Sequence, residues 1–336
     1  MARLRSIKKS SIIILVLTLL IIALIFLVFG KDYSQGKKPA FGVTFSKKYA
    51  MELNLDWQQA YLAILDGLKV SNIRLIAYWD DIEKELDTFD FSELDWQIKM
   101  AADRGVGIML SLGRRTPSWP ECHDQVWLKD LNQEQIAEKQ LNFVKEVVRR
   151  YKDISAIRYW QVENEPMVSV FGQCPKLDKK LLIREIEVVK ILDQRPVVIT
   201  DSGELGDWQR AAGLGDILGT TLYRIVWNKN LGFWDYYFVP PAFYHYKADI
   251  TKFFHKNLKD VIITELQMEP WTFDRPMVQL SLAEQEQSFG LQRFKENINY
   301  AAKAGFPEIY LWGVEYWYWL DKKGYPAIWE EAKNLW

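Results

Sequence analysis

Cysteine occurs only twice in this chain of 336 residues, at Cys122 and Cys174. Two are too few for a disulfide framework, and their wide spacing is wrong for a zinc site. Histidine is nearly as scarce. His123, His245 and His255 include no close pair, which removes the usual nitrogen-ligand metal centre. The sequence also lacks a phosphate-binding loop, a GxSxG elbow and a Cys-His signature. A formal net charge of -1 gives no global attraction to nucleic acid or anionic lipid. These absences leave a reading with no cofactor, no metal and no nucleic-acid partner.

What is present is a globular composition, 49% hydrophobic and 26% charged, able to bury a sizeable core. The length suits one α/β barrel of about 250 residues together with an anchor. Residues 12–29 form a near-continuous apolar run. As a helix rising about 1.5 Å per residue, it nearly spans a hydrocarbon core of about 30 Å. Arg3, Arg5, Lys8 and Lys9 precede it, and the positive-inside rule then keeps the N-terminus cytoplasmic. The run is longer than the apolar region of a cleaved signal peptide, and no small-x-small site follows it. The expected organisation is a cytoplasmic basic segment (1–11), a transmembrane signal anchor (12–29), a polar linker (30–38) and an extracytoplasmic domain (39–336). Outside the cytoplasm one disulfide is permitted. Cys122 and Cys174 fall in loops after adjacent predicted strands, so a bridge and two free thiols both stay open.

Beyond the linker, short apolar or β-branched runs alternate with longer helical patterns, the signature of successive β-α units. Eight strands are predicted, at 41–45, 72–78, 107–112, 157–164, 197–200, 217–223, 261–265 and 308–313. Between the third and fourth, residues 133–151 place Ile136, Ala137, Val144, Val147, Val148 and Tyr151 largely on one helical face. Gly105 and Gly305 stand where helix-terminating glycines belong. Eight such units predict a (β/α)8 TIM barrel preceded by an N-terminal transmembrane helix. A doubly wound open sheet would usually carry a Gly-rich turn after its first strand, and FGVTFSKKY has none. The GLGDILG run at 213–219 reads as a tight helix-to-strand connection.

A parallel barrel places its chemistry at the C-terminal ends of its strands. Glu165 closes the predicted fourth strand and Glu265 the seventh, about three β-α units apart and so across the mouth from each other. A single Glu after a strand is usually a helix-terminal charge or a loop residue. A facing pair is what glycosidic cleavage requires: one carboxyl protonates the leaving oxygen while the other attacks the sugar carbon or activates water.

Asn164-Glu165-Pro166, after an aromatic-rich strand, resembles the acid/base motif of clan-A glycoside hydrolases, the cellulase-like and β-galactosidase-like families. The resemblance covers the chain from about residue 41 to 336. Arg74 resembles the arginine those families hold near the nucleophile, Tyr223 the tyrosine that hydrogen-bonds it, and Trp312 the tryptophan of the sugar platform. The resemblance implies a retaining double displacement on an O-glycosidic bond, favouring the β linkage, with Glu165 as acid/base and Glu265 as nucleophile. Asn164 would hold the sugar 2-hydroxyl, and Arg74 and Tyr223 would keep Glu265 ionised and oriented. Glu165 would need a raised pKa to donate a proton near neutrality.

Trp271 and Glu315 are further candidates for sugar contact. His123 sits where some clan members carry a substrate-contacting histidine, although it lies well past the strand end. Trp119, Trp127, Trp227, Trp234, Trp317 and Trp319 also follow predicted strands, where they could stack on sugar or simply pack. Strand alternation would put Glu163 on the face of Glu165, filling the barrel interior or pairing with a cation such as Arg74. The implied partner is an oligosaccharide or glycoconjugate. A non-catalytic carbohydrate-binding barrel and a transglycosylase with the same carboxyl pair remain as alternatives.

Overall fold

The computed structural model describes residues 11–20, 30–228, 232–272 and 275–336. Its strands are β1 (Ala40–Thr44), β2 (Asn72–Ile76), β3 (Gly107–Leu112), β4 (Ile157–Val162), β5 (Val197–Asp201), β6 (Ile217–Leu222), β7 (Ile225–Asn228), β8 (Gly232–Asp235), β9 (Asp260–Gln267) and β10 (Glu308–Trp312). Eight of them close into a parallel barrel in the order β1-β2-β3-β4-β5-β6-β9-β10, with β10 returning to β1. Helices cover its outer wall, so both strand faces are buried and the strands read as apolar runs. All five residues of β2 and of β5 are buried. All eight predicted barrel strands are present, with ends shifted by a residue or two.

The helix Gln133–Tyr151 matches its predicted bounds. Asn132 and Gln135 form a reciprocal capping box, and Ile136, Val144, Val147, Val148 and Tyr151 face inward. At the ends of the helices Ser92–Ala102 and Leu291–Lys303, Gly105 and Gly305 adopt φ of +71° and +80°, turning the chain into the next strand. Inside the barrel, Met109, Val198, Ile217, Ile262 and Tyr310 form a separate apolar cluster. Gly42 of β1 lies against the Tyr310 ring so closely that a Cβ would sit 2.8 Å from it.

β7 and β8 pair as an antiparallel hairpin after β6 that the sequence reading did not anticipate. Each strand has four residues, and only two residues separate β7 from β6, so no separate period could be read. Cys122 and Cys174 form a disulfide that joins the loop after β3 to the loop after β4. Tyr33, in the segment read as a linker, is buried: its N–H donates to Lys303 O at 2.9 Å and its ring stacks on His245.

The predicted transmembrane segment 12–29 lies only partly within the described residues. Residues 11–20 are helical with their apolar side chains exposed, whereas residues 1–10 and 21–29 lie outside the description. Among the described residues no helix is long and apolar enough to cross a membrane.

Candidate active site

Two irregularities in the barrel set the geometry of its mouth. On β9, the register against β6 slips between Thr220 and Thr221, so that Thr221 aligns with Glu265. An extra residue of this kind re-aims the side chains beside it. Glu265 thereby meets Arg74 of β2 across the barrel, Nη1 donating to its Oε1 at 2.7 Å. Arg74 is fully buried, and its remaining donors reach Gln161 Oε1 at 2.7 Å, Asn164 Oδ1 at 2.9 Å and Thr264 O at 3.3 Å. A guanidinium this enclosed is tolerable only because carboxylate, amide and carbonyl oxygens surround it. The second oxygen of Glu265 accepts from Tyr223 Oη at 3.2 Å. Burial, reinforced by the Glu265 charge, pushes the Tyr223 phenol well above its ordinary pKa, so it remains a donor at neutral pH. Glu204 fixes Tyr223 from behind by accepting its backbone N–H at 3.0 Å.

The second irregularity ends β4 at Val162. Glu163 and Glu165 both take left-handed backbone conformations, with φ of +59° and +41°. This breaks strand alternation, and the two side chains part. Glu165 is held at the mouth: its N–H donates to Thr200 Oγ1 at 2.7 Å, and Oε1 accepts from Thr221 Oγ1 at 3.0 Å. Burial, then the charges of Glu265 and Glu121, push its carboxyl well above the usual range.

Glu163, expected in the barrel interior or beside Arg74, is in neither place. Its oxygens accept from the backbone N–H groups of Arg114 at 2.8 Å and Arg115 at 2.7 Å, and from Gln140 Nε2 at 3.1 Å. It therefore clamps the loop after β3 under the helix Gln133–Tyr151. A Cβ at Gly113 would lie 2.4 Å from Glu163 Oε1, and Gly113 itself has φ of +117°, so only glycine fits there.

Several groups at the mouth escaped the sequence reading. Glu121 is buried, accepts from Asn164 Nδ2 at 3.0 Å and from Arg115 Nε at 2.8 Å, and is pushed up to about 7 by burial against the pull of Arg115. Glu269 accepts from Trp312 Nε1 at 2.7 Å, and burial likewise pushes it up to about 7. Thr200, Thr221 and Gln161 looked like ordinary strand residues; nothing but the assembled barrel distinguishes them.

The aromatic candidates divide. Trp271 is partly exposed and meets Tyr223 edge-on at 5.6 Å, and it continues through Phe171 to Trp119, a wall running outward from Tyr223. Trp312 is partly exposed beside Glu269. Trp317 and Trp319 belong to the core, Trp317 Nε1 donating to Met268 O at 2.7 Å. Trp127 donates to Glu83 O and packs on Trp79, and Trp234 lies exposed on β8.

Glu315 is buried and accepts from the Ser46 N–H at 2.5 Å. Burial pushes its carboxyl up to about 8. Ser46 Oγ in turn lies 2.7 Å from Tyr78 Oη, and His123 packs edge-on against the Tyr78 ring at 5.2 Å. Glu315 and His123 thus share one side network, on the β1–β2 side of the mouth. Among the described residues, no group of three or more His, Cys, Asp or Glu side chains could hold a metal ion.

No protein-family model and no curated protein matches this sequence. Solved structures do match. A GH5_18 protein from Streptomyces cattleya in complex with GlcNAc is 12% identical, with TM-score 0.57 over 82% of this chain and 70% of that one. A glycoside hydrolase family 10 endo-β-1,4-xylanase from Gloeophyllum trabeum is 15% identical, with TM-score 0.54 over 84% and 86%. The fold is the one these glycoside hydrolase barrels share. A β-galactosidase from Halorubrum lacusprofundi also matches, at 15% identity and TM-score 0.52 over 81% of this chain; the chain spans about half of that protein's length, 52%.

Proposed function

We propose that this protein is a retaining glycoside hydrolase acting on O-glycosidic, β-linked bonds of an oligosaccharide or glycoconjugate. The observation that carries the reading is the opposed surroundings of two carboxyls at one barrel mouth. Glu265 lies between a guanidinium and a phenol, which donate to its two oxygens and hold the carboxyl in the fixed orientation a nucleophile needs. Glu165 is buried beside other carboxyls and is held protonated to higher pH, as a general acid must be.

In the first step Glu165 gives its proton to the glycosidic oxygen while Glu265 attacks the anomeric carbon. The C–O bond to the leaving group breaks, and a glycosyl ester forms on Glu265. In the second step Glu165, now a carboxylate, takes a proton from water, which attacks the same carbon and releases Glu265. Asn164 donates to the sugar 2-hydroxyl, a contact that strengthens in the oxocarbenium-like transition state. Trp271 and Trp312 offer partly exposed faces beside the nucleophile for sugar stacking.

The same proposal places the barrel outside the cell, anchored through residues 12–29 as a single-pass membrane protein with a cytoplasmic N-terminus. The support is the apolar run itself, the basic residues before it and the exposed apolar side chains of residues 11–20. Resistance of the full chain to carbonate extraction, with protease access to the barrel from outside intact cells, is the expected behaviour.

The catalytic reading is tested by incubating the protein with a panel of activated 2-fluoro β-glycosides, followed by intact mass and peptide mapping. A covalent adduct on Glu265 is expected. Sugar binding without an adduct from any of them would instead identify a carbohydrate-binding barrel. Faster turnover of the adduct by added sugar than by water would identify a transglycosylase.

A further inference from the structure

We propose that Glu121 is a positioning residue for glycosyl transfer: its carboxylate fixes which way the Asn164 amide faces, and so presents an N–H to the sugar 2-hydroxyl. The inference rests on the glycosidase reading above and adds to it a residue outside the strand-end motif.

The two ends of an asparagine amide have nearly the same shape but opposite chemistry, one an acceptor and the other carrying two donors. Arg74 Nη2, at 2.9 Å, and Gln161 Nε2, at 3.3 Å, both donate to Asn164 Oδ1 and fix the oxygen end inward. At the other end Asn164 Nδ2 donates to Glu121 Oε1 at 3.0 Å. Above about pH 7, where Glu121 is ionised, its carboxylate only accepts, so it can face the nitrogen end and no other. With one N–H committed to Glu121, the second is left for substrate in a fixed direction. A flipped amide would offer the sugar an oxygen, set two donors against Arg74 and Gln161, and lose the transition-state contact.

Glu121 is in turn built into place. Its Oε2 accepts both Nε and Nη2 of Arg115, at 2.8 Å and 2.5 Å, which leaves Oε1 to Asn164. Arg115 reaches on to Val168 O and Phe171 O in the loop after β4, and Cys122, next to Glu121, is bridged to Cys174 of that loop. A Cβ at Gly172 would lie 2.4 Å from Glu121 Oε2, so the chain closes tightly over the carboxylate. The position demands acceptors at both ends. Glutamine has one acceptor and one donor end, and whichever way it turns, its amide nitrogen meets a donor of Arg115 or of Asn164. Aspartate keeps the charge beside Arg115 but is one methylene too short to reach both partners.

The test compares kcat/KM for two substrates on the full chain. One is the p-nitrophenyl β-glycoside that the wild type turns over fastest in a panel; the other is its 2-deoxy counterpart. With kcat/KM taken at the pH optimum of each variant, so that the influence of the Glu121 charge on Glu165 is removed from the comparison, Glu121→Gln is expected to lower kcat/KM on the parent glycoside by ~30-fold and on the 2-deoxy glycoside by less than ~3-fold. Equal losses on both substrates, or no loss on either, overturn the proposal. If Glu121→Gln does not fold, judged by its thermal midpoint, Glu121→Asp decides by the same comparison. A wild type that neither turns over any glycoside nor forms an adduct on Glu265 overturns the glycosidase reading itself. A wild type that does both, with a Glu121→Gln variant indifferent to the 2-hydroxyl, removes only the positioning role.

Discussion

Replacing Thr221 by valine tests the division of labour between the carboxyls through a single hydroxyl. Thr221 Oγ1 donates to Glu165 Oε1 at 3.0 Å and accepts the Gly203 N–H at 3.1 Å. A hydrogen bond to a charged group contributes about 1.5–3 kcal/mol, against about 0.5–1.5 kcal/mol for a neutral pair. The hydroxyl therefore favours the ionised over the protonated carboxyl by roughly 1–1.5 kcal/mol, close to one pKa unit at about 1.4 kcal/mol per unit. Its loss favours the protonated form, so the general acid persists to higher pH. The alkaline limb of kcat/KM is expected to move up by about one unit in Thr221→Val and to stay in place in Thr221→Ser.

The substrate for this profile needs a poor leaving group, so that departure depends on proton donation, and the range should run from about pH 5 to 10, bracketing a raised carboxyl. The valine also orphans the Gly203 N–H, a stability loss of about 1–3 kcal/mol that lowers the unfolding midpoint without moving the limb. A limb that stays put in Thr221→Val, or moves down, would refute Glu165 as the proton donor held through Thr221.

Three further outcomes follow from the same geometry. Burial holds the Glu315 carboxyl near 8, raised above its unfolded value of about 4.3, so the stability it contributes is complete below the unfolded value and is lost as pH rises to about 8. Glu315→Gln removes that loss, and its advantage over the wild type in urea unfolding should grow by about 1.4 kcal/mol per pH unit within the window; a gap that is constant with pH would contradict the raised value. The Cys122–Cys174 bridge closes a loop of 52 residues, for which loss of closure entropy is worth about 4 kcal/mol, so Cys122→Ser/Cys174→Ser should shift the urea midpoint down accordingly. Trp271→Ala, by removing one face of the aromatic wall, should raise KM by about 10-fold with little change in kcat; an equal fall in kcat would instead assign Trp271 to holding Tyr223.

The barrel itself was legible because its strands are covered on both faces. β2, β3, β5 and β9 appear as short runs dominated by apolar and β-branched residues, and Gly105 and Gly305 mark helix ends by a backbone requirement that no other residue meets as well. The hairpin of β7 and β8 lacks that cover, β8 being half-exposed, and its four-residue strands are too short to show a period of their own. Trp317 and Trp319 follow β10 as sugar platforms would, yet they lie on a helix that turns into the core. Their side chains are large enough to serve either purpose, and only burial decides between them.

The candidate site separates along a physical line. Arg74, Asn164, Glu165, Tyr223 and Glu265 stand on or directly beyond strands, where barrel closure dictates which way each points, and the structure brings all five together. Glu121 arrives from a loop whose path depends on the disulfide and on Arg115, partners that no local spacing announces, and Glu269, just past β9, is singled out only by the Trp312 indole that meets it from β10. Glu163 shows how narrow the margin is. Two residues from Glu165, it would share the mouth if β4 ran on as a regular strand, leaving two equivalent carboxyls beside Asn164. Left-handed backbone at both glutamates sends one to the Arg114 and Arg115 amides and the other to Thr221. Periodicity assumes one backbone conformation along the strand, and it fails at the point where the chain leaves that conformation to build the site.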